Sequence, residues 1–551
     1  MRKKKILLQF LPIILSLLFL IPSSLFAASK FYDDDPLWTE ASTQDASGAQ
    51  AVDIDLIYDL AENMFTKPGD KTPNVPAQNI NTIGEVPDSS WYTNRHGLTA
   101  ADVAKGPNQT DGPVSGTWTV IAAKNDGVSP GFTVKDSAGN TWFIKPDPPG
   151  YPGMATGSEV TATKLFWALG FNVPEDHIAH MRLEDLVIEQ GTMIKTPSGK
   201  KRHMKTGDIK TMLRRGQKDP DGSYRVHASL KLEGKILGGF RLYGTRPDDP
   251  NDVIPHEHRR ELRGYSVFAA WLNHVDIKAL QSMDTLVSED GKSVVRHHLL
   301  DFSSALGSGS IYAHEYWEGY ENLLEPGGSI AKDMITFGFK VEPWRTQPFY
   351  QSKAIGRFPK GNDKWDPELW RSRAPNAAFF RADDEDKFWA ARKVMAISDE
   401  MIQAAVQAGE FNDPAGEEFL VKALSERRDA IGRRYLPAIN PIVDPAMDSS
   451  GALTFTNAAV AAHVASAPDG YQAIWYRFDN AKGTSEKIGG TVNSSEKFEA
   501  PSGLPSEAGS YVRVEISATK AEQPGWQIPL NAYFARTSDG WKLVGLERSS
   551  K

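Results

Sequence analysis

Residues 271–307 constrain the fold of this chain more than any other stretch. WLNHVDIKALQSMDTLV is followed by a short hydrophilic turn and then by VVRHHLLDFSSALG. An apolar helix ends in a polar loop carrying Asp276, Lys278 and Gln281. Two alternating runs around the hydrophilic turn predict a β-hairpin. Asp301 closes the second strand, 25 residues after Asp276, with Phe302 behind it. Singly, each aspartate reads as a cap at the end of a helix or strand. Together they place carboxylates on two neighbouring segments.

The rest of the chain is organised around that stretch. Residues 1–28 read as a secretory signal: Arg2, Lys3, Lys4 and Lys5 precede ILLQFLPIILSLLFLI, and Ser23, Ser24, Ala27 and Ala28 form a small-residue exit. Residues 29–112 are polar and irregular, an extended arm in which only 52–65 has helical spacing. From 113 to 437 a β-rich half precedes a helical half. TWTVIAA, FTVKD and TWFIK predict three antiparallel strands, joined by NDGVSPG and SAGN. SEVTATKLFWALGFNVP predicts a helix with Ser158 as N-cap and Glu159 in its first turn. IAHMRLEDLVIE and SYRVHASLKL add strands. HEHRRELRGYSVFAAWLNH, DKFWAARKVMAI, SDEMIQAAVQAG and AGEEFLVKALSERRDAIGRRYL predict helices. Residues 438–450 read as a linker. Residues 451–551, short alternating runs between Gly, Asp, Asn and Ser turns, predict a small all-β sandwich. The fold class is therefore α+β: a bilobal domain with a β-rich N-lobe and a helical C-lobe, then the sandwich.

Composition narrows the function classes. The formal charge is -8; removing the four basic residues of 1–28, which contain no acid, leaves about -12 for the mature chain. An acidic surface argues against nucleic acid as a partner. With no cysteine in 551 residues, neither disulfides nor thiolate metal sites hold the protein together. The expected location is periplasmic or secreted, without stable membrane insertion after signal cleavage.

Lys145 ends the third predicted strand, and Glu159 lies 14 residues further on. A strand lysine held by a helix glutamate grips the α/β-phosphates of ATP in phosphoryl-transfer proteins. Strands often end in lysine, and a helix dipole favours glutamate in the first turn, so the pair gains meaning only beside further phosphate- and metal-binding groups. Gly127 and Ser129 of NDGVSPG are placed to offer backbone N–H groups to phosphate oxygens. Such a site also needs one carboxylate near the attacking hydroxyl and another on the metal. Asp276 and Asp301 come in that order. Lys278 either faces the transferring phosphate or is solvated.

IKPD, SEVTATKLFWALGFNVP, WLNHVDIKALQ and LLDFSSALG, in this sequence, resemble the atypical protein-kinase-like folds. The pattern is most similar to HipA-like serine kinases, with spore-coat and secretory-pathway kinases as exported cousins. The resemblance spans residues 115–437. It implies a Lys145–Glu159 ion pair, Asp276 as catalytic aspartate and Asp301 as metal ligand, with ATP and Mg²⁺ or Mn²⁺ as cofactors. Gln281 stands five after Asp276, where the family usually has a metal-binding asparagine; it keeps the carbonyl ligand and adds a methylene. The implied function is transfer of a phosphoryl, or adenylyl, group from ATP to a hydroxyl of a protein or glycan. One alternative is a pseudokinase, an envelope scaffold, favoured by Gln281 and by scarce ATP outside the inner membrane. Another is a carbohydrate-binding surface protein, suggested by the aromatics of 312–350, which are expected to be mainly core.

Competing motifs are incomplete. HEHRR has Arg260 where a zincin needs its second histidine. His297 and His298 are adjacent on a strand and point to opposite faces. DDPND lacks the glycine and final glutamate of a calcium loop.

Overall fold

A computed structural model describes residues 29–63, 75–124, 129–196, 199–322, 343–361 and 364–548. The signal reading of 1–28, the end of the helix read at 52–65, and Gly127 lie outside them. In the arm, helix α1 (Leu56–Ala61) starts at Asp55, whose carboxylate accepts from the N–H groups of Ile57 and Tyr58. Helix α2 (Ala100–Lys105) opens with a Thr99–Asp102 capping box.

Alternation in the sequence becomes a six-stranded sheet. Its strands are β1 (Trp118–Lys124), β2 (Gly131–Lys135), β3 (Thr141–Pro146), β4 (Asp176–Met181), β5 (Leu186–Ile188) and, after the small β6 (Met193–Lys195) and β7 (Lys201–His203) hairpin, β8 (Tyr224–Leu230). The order is β4-β8-β3-β2-β1-β5. Helix α3 (Met154–Ala168) follows β3, and α4 (Thr206–Leu213) precedes β8. Val120, Phe132, Val134, Trp142, Ile144 and Val226 share an apolar cluster with Ile209, Met212 and Leu213 of α4.

Helix α3 corrects the sequence reading. It starts four residues before Ser158, and Glu159 falls in its second turn. The cap is remote: Asp147 accepts from the N–H groups of Gly153 (2.8 Å), Ala155 (3.0 Å) and Thr156 (2.9 Å). A carboxylate that satisfies three orphan donors from outside the helix removes the need for a local cap.

The second half is built on α5 (Arg260–Leu272), which follows a 3₁₀ turn at His256–His258. Strands β9 (Lys235–Gly238), β10 (Ser282–Glu289) and β11 (Lys292–Leu299) form a sheet in the order β11-β10-β9. The β12 (Phe349–Ser352) and β13 (Gly356–Pro359) hairpin comes next. Helices α6 (Ala377–Arg381), α7 (Asp384–Met395), α8 (Asp399–Ala408) and α9 (Pro414–Tyr435) complete this part. Trp271 and Trp389 are fully buried in its apolar cluster.

That cluster does not stop at Tyr435. It runs on through Ile442, Val443, Trp475, Trp526 and Leu530 into the C-terminal strands. Consequently 442–447, inside the stretch read as a linker, is strand β14 (Ile442–Met447). It joins β15 (Leu453–Asn457) and, beyond the short helix α10 (Ala458–Ala461), β18 (Lys497–Phe498). The other sheet is β17-β16-β19-β20-β21, from β16 (Gly470–Asp479), β17 (Thr484–Asn493), β19 (Tyr511–Thr519), β20 (Leu530–Arg536) and β21 (Trp541–Arg548). The arm ties the parts together. Phe31 packs between Phe478 and Tyr533, while Trp91 stacks on His297 at 3.5 Å. Among the described residues, no helix is long and apolar enough to cross a membrane.

The DDPND and HEHRR segments meet as a buried knot. Asp252 accepts from the Arg246 N–H and lies 2.7 Å from His256 Nε2. Burial opposes its charge, but His256 and these hydrogen bonds hold the carboxyl down at about 2. A depressed folded-state pKa contributes stability that is present above the unfolded value of 3.8 and lost as pH falls through about 2. This group alone is expected to remove roughly 2 kcal/mol of unfolding free energy between pH 4 and pH 2. Denaturant titrations across that range check it: an Asp252→Asn variant should show a correspondingly shallower acid loss.

Candidate functional site

Backbone hydrogen bonds bring the two aspartate loops side by side. Asn273, in the left-handed region at φ 49°, ends α5. Beyond it, Val275 N–H donates to the Ser304 carbonyl (3.2 Å) and Leu306 N–H to the Leu272 carbonyl (2.9 Å). Pairing of Ser282 with Leu299 closes the hairpin, and Leu300 N–H donates to the Gln281 carbonyl at 3.1 Å. Gln281 and Asp301 thus emerge from the same end of the hairpin. Asp301 itself has φ 63°, a left-handed conformation that is uncommon for a residue with a β-carbon and recurs at functional sites.

Lys145 Nζ lies 3.0 Å from Asp301 Oδ1, and Ser303 Oγ donates to the same oxygen at 3.0 Å. Burial opposes the charge on Asp301, but the ammonium and hydroxyl outweigh it and hold the carboxyl far below the usual carboxylate range. Burial likewise works against the Lys145 charge, and Asp301 with Glu159 more than restores it. The Lys145–Glu159 ion pair expected from the sequence does not form. Glu159 Oε1 instead accepts the Phe302 N–H at 2.8 Å. Ser158 Oγ donates to the carbonyls of Ala305 (2.8 Å) and Phe302 (3.2 Å). Helix α3 therefore grips the backbone of the Asp301 segment, and Lys145 is left for Asp301 itself. Burial, with Asp301 nearby, pushes the Glu159 carboxyl up.

In the other loop Lys278 Nζ lies 2.9 Å from Asp276 Oδ1, a partner that neither reading of that lysine gives it. Gln281 Nε2 donates to Asp276 Oδ2 at 3.3 Å. Gln281 Oε1 is buried and has no hydrogen-bond partner. That orphaned carbonyl belongs to the residue whose backbone accepts the Leu300 N–H next to Asp301, and an amide carbonyl with a carboxylate is the donor chemistry that suits Mg²⁺ or Mn²⁺. Ser129 lies just before β2. Gly131, in register with Lys124 of β1, is a near neighbour of Lys145: a Cβ there would sit 3.6 Å from the lysine Cγ, an ordinary contact.

His274 is a supporting residue that sequence reasoning underuses. It stands two before Asp276, the H-x-D spacing of a kinase catalytic loop. Burial pushes its imidazole down to about 4, so it is neutral. Its ring lies 5.5 Å from that of Phe302, which stacks on Phe166 of α3 at 4.6 Å. An uncharged aromatic stack therefore joins both loops to the helix. Asp147, Asp176 and His227 carry no local sequence signal. His227 pairs across the sheet with Lys145, a relation set by strand register.

No family model matches the chain, and no curated protein matches it. Among solved structures it aligns with the crystal structure of a Helicobacter pylori proinflammatory kinase, CtkA, at 12% identity, covering 59% of this chain and 99% of that one, with TM-score 0.31. It also aligns with the crystal structure of the golgi casein kinase at 10% identity, covering 73% and 97%, with TM-score 0.28. Scores this low carry no weight for the site. The structure does hold, in chain order, the parts on which the sequence resemblance rests: the strand lysine, the helix that holds the Asp301 segment, the aspartate loop, the hairpin and the second aspartate.

The aromatic stretch is only partly core. Tyr312, Tyr316 and Phe349 are exposed, against the expectation of burial. Tyr316 packs on Trp344 at 4.8 Å, and the Arg357 guanidinium sits over Phe349. Residues 323–342 of that stretch lie outside the described residues.

Proposed function

We propose that this chain is an exported, ATP- and divalent-metal-dependent phosphotransferase acting on a hydroxyl of a protein or glycan. The observation that carries the reading is the Lys145–Asp301 pair at 3.0 Å. It joins a strand lysine to a left-handed aspartate from a remote part of the chain, at the hairpin end that also carries Gln281. In this reading Lys145 orients the α/β-phosphates, and Gln281 and Asp301 hold the cation. Asp276 aligns the acceptor hydroxyl and takes its proton as the new O–P bond forms and the γ-phosphoryl leaves ADP. ATP with its bound cation supplies the phosphoryl group and neutralises charge on its oxygens.

One observation favours the second reading, a pseudokinase scaffold. Both oxygens of Asp276 are engaged, by Lys278 and Gln281. Thermal unfolding separates a nucleotide site from none. ATP with Mg²⁺ or Mn²⁺ at a hundred times Kd should stabilise the protein by about 2.7 kcal/mol. Asp301→Ala should lose that gain, and no shift in the parent protein would end the nucleotide reading. Label transfer from γ- and α-labelled ATP then distinguishes phosphoryl transfer, adenylyl transfer and neither.

A further inference from the structure

Beside Lys145, three buried side chains converge from α3, β4 and β8. Glu159, Asp176 and His227 each offer one ligand atom, and these atoms lie within 4.8 Å of one another. Their exposures are 1%, 1% and 5%. Each residue presents a buried atom without a hydrogen-bond partner: Glu159 Oε2, Asp176 Oδ1 and His227 Nε2. Asp176 Oδ1 and His227 Nε2 face each other as an ion pair, but Glu159 Oε2 has no partner, which is costly in a buried place unless something binds it.

The remaining oxygens are already committed. Thr163 Oγ1 donates to Asp176 Oδ2 at 2.7 Å, and the Phe302 N–H holds Glu159 Oε1. One oxygen fixed and the other free is how outer contacts orient metal-binding carboxylates. His227 Nε2 and Asp176 Oδ1 form an ion pair at 3.3 Å. Two ligands on a tetrahedral ion at about 2.1 Å would stand about 3.4 Å apart.

We propose that Glu159, Asp176 and His227 form a buried site for a divalent transition ion of the Mn²⁺ or Zn²⁺ class, separate from the Gln281–Asp301 pair. One imidazole and two carboxylates select such ions over Ca²⁺. Bound there, the ion pins α3 to the sheet. Through Glu159 and the Phe302 N–H it also fixes the segment carrying Asp301. The site does not depend on phosphoryl transfer.

The test uses the full chain, stripped with chelator and reloaded with Mn²⁺ or Zn²⁺ alone, without nucleotide. Spin-echo spectroscopy of bound Mn²⁺ should show a directly coordinated imidazole nitrogen. That signal should persist in Asp301→Ala and vanish in His227→Gln, with Mn²⁺ affinity falling about 100-fold or more. Asp176→Asn, which leaves the imidazole in place, should weaken binding to a similar degree and serves where His227→Gln fails to fold. A wild-type chain retaining neither nitrogen-coupled Mn²⁺ nor one equivalent of Zn²⁺ after gel filtration overturns the proposal. So does a nitrogen signal that survives His227→Gln.

Discussion

Replacing Asp386 by alanine is expected to cost about 3–5 kcal/mol of stability, because it strands two buried guanidinium groups. Asp386 sits in the first turn of α7 and is fully buried. Its Oδ1 accepts from Arg260 Nε and its Oδ2 from Arg263 Nη1, each at 3.0 Å. Both arginines lie on α5 and are themselves buried. Their other contacts are mostly carbonyls: Gly84 for Arg260, Val75 and Glu257 for Arg263. Glu385, 3.3 Å from Arg260 Nη2, offers a second charge but is partly exposed, and Asp383 acts on Arg260 from further off. The variant also loses the reciprocal half of a capping box with Asp383. Denaturant unfolding measures the loss. A change below about 1 kcal/mol would mean that the pair of arginines finds water or another anion, contrary to this geometry.

The same cluster shows what the sequence can and cannot disclose. Arg260, Arg263 and Asp386 are charged, and charged residues on amphipathic helices ordinarily face water. Nothing local marks them as mutually buried; that comes from α5 packing on α7 and from the arm closing over both. By contrast, β1 to β3 are legible because alternation with period two reports burial on one face directly. Lys145, Asp276 and Asp301 are legible for a related reason: each stands at the end of a regular element, where pattern gives position. Glu159 is legible, but its partner is not. An apolar helix gives no register against a distant backbone, so its choice of the Phe302 N–H over Lys145 stays hidden. Ser158 reads as a cap because it is a good one locally, whereas Asp147 reaches the helix from a loop. Strand β14 escapes the sequence because two prolines and an aspartate near apolar residues resemble a linker until the C-terminal sheets supply neighbours.

Asp276→Asn is the substitution that best separates catalysis from binding. If Asp276 takes the acceptor proton, the amide should lower kcat by about 10²–10⁴-fold, the range for a positioned general base. The change is nearly isosteric. Gln281 Nε2 can still donate to the amide oxygen, while Lys278 loses its counter-charge at 2.9 Å. Lys145 and Asp301 contact each other, not Asp276, so stabilisation by ATP and metal should survive the substitution. Asp301→Ala should behave oppositely, losing the ligand-induced shift together with the rate. Single-turnover transfer of labelled phosphate, measured beside thermal unfolding, reads both quantities on one preparation. An Asp276→Asn protein that transfers at the parental rate would remove Asp276 from the chemistry. A parent protein that gains stability from ATP and metal yet transfers nothing, with Asp276→Asn indistinguishable from it, would make the Lys278 and Gln281 contacts a permanent lock on the aspartate and favour the scaffold.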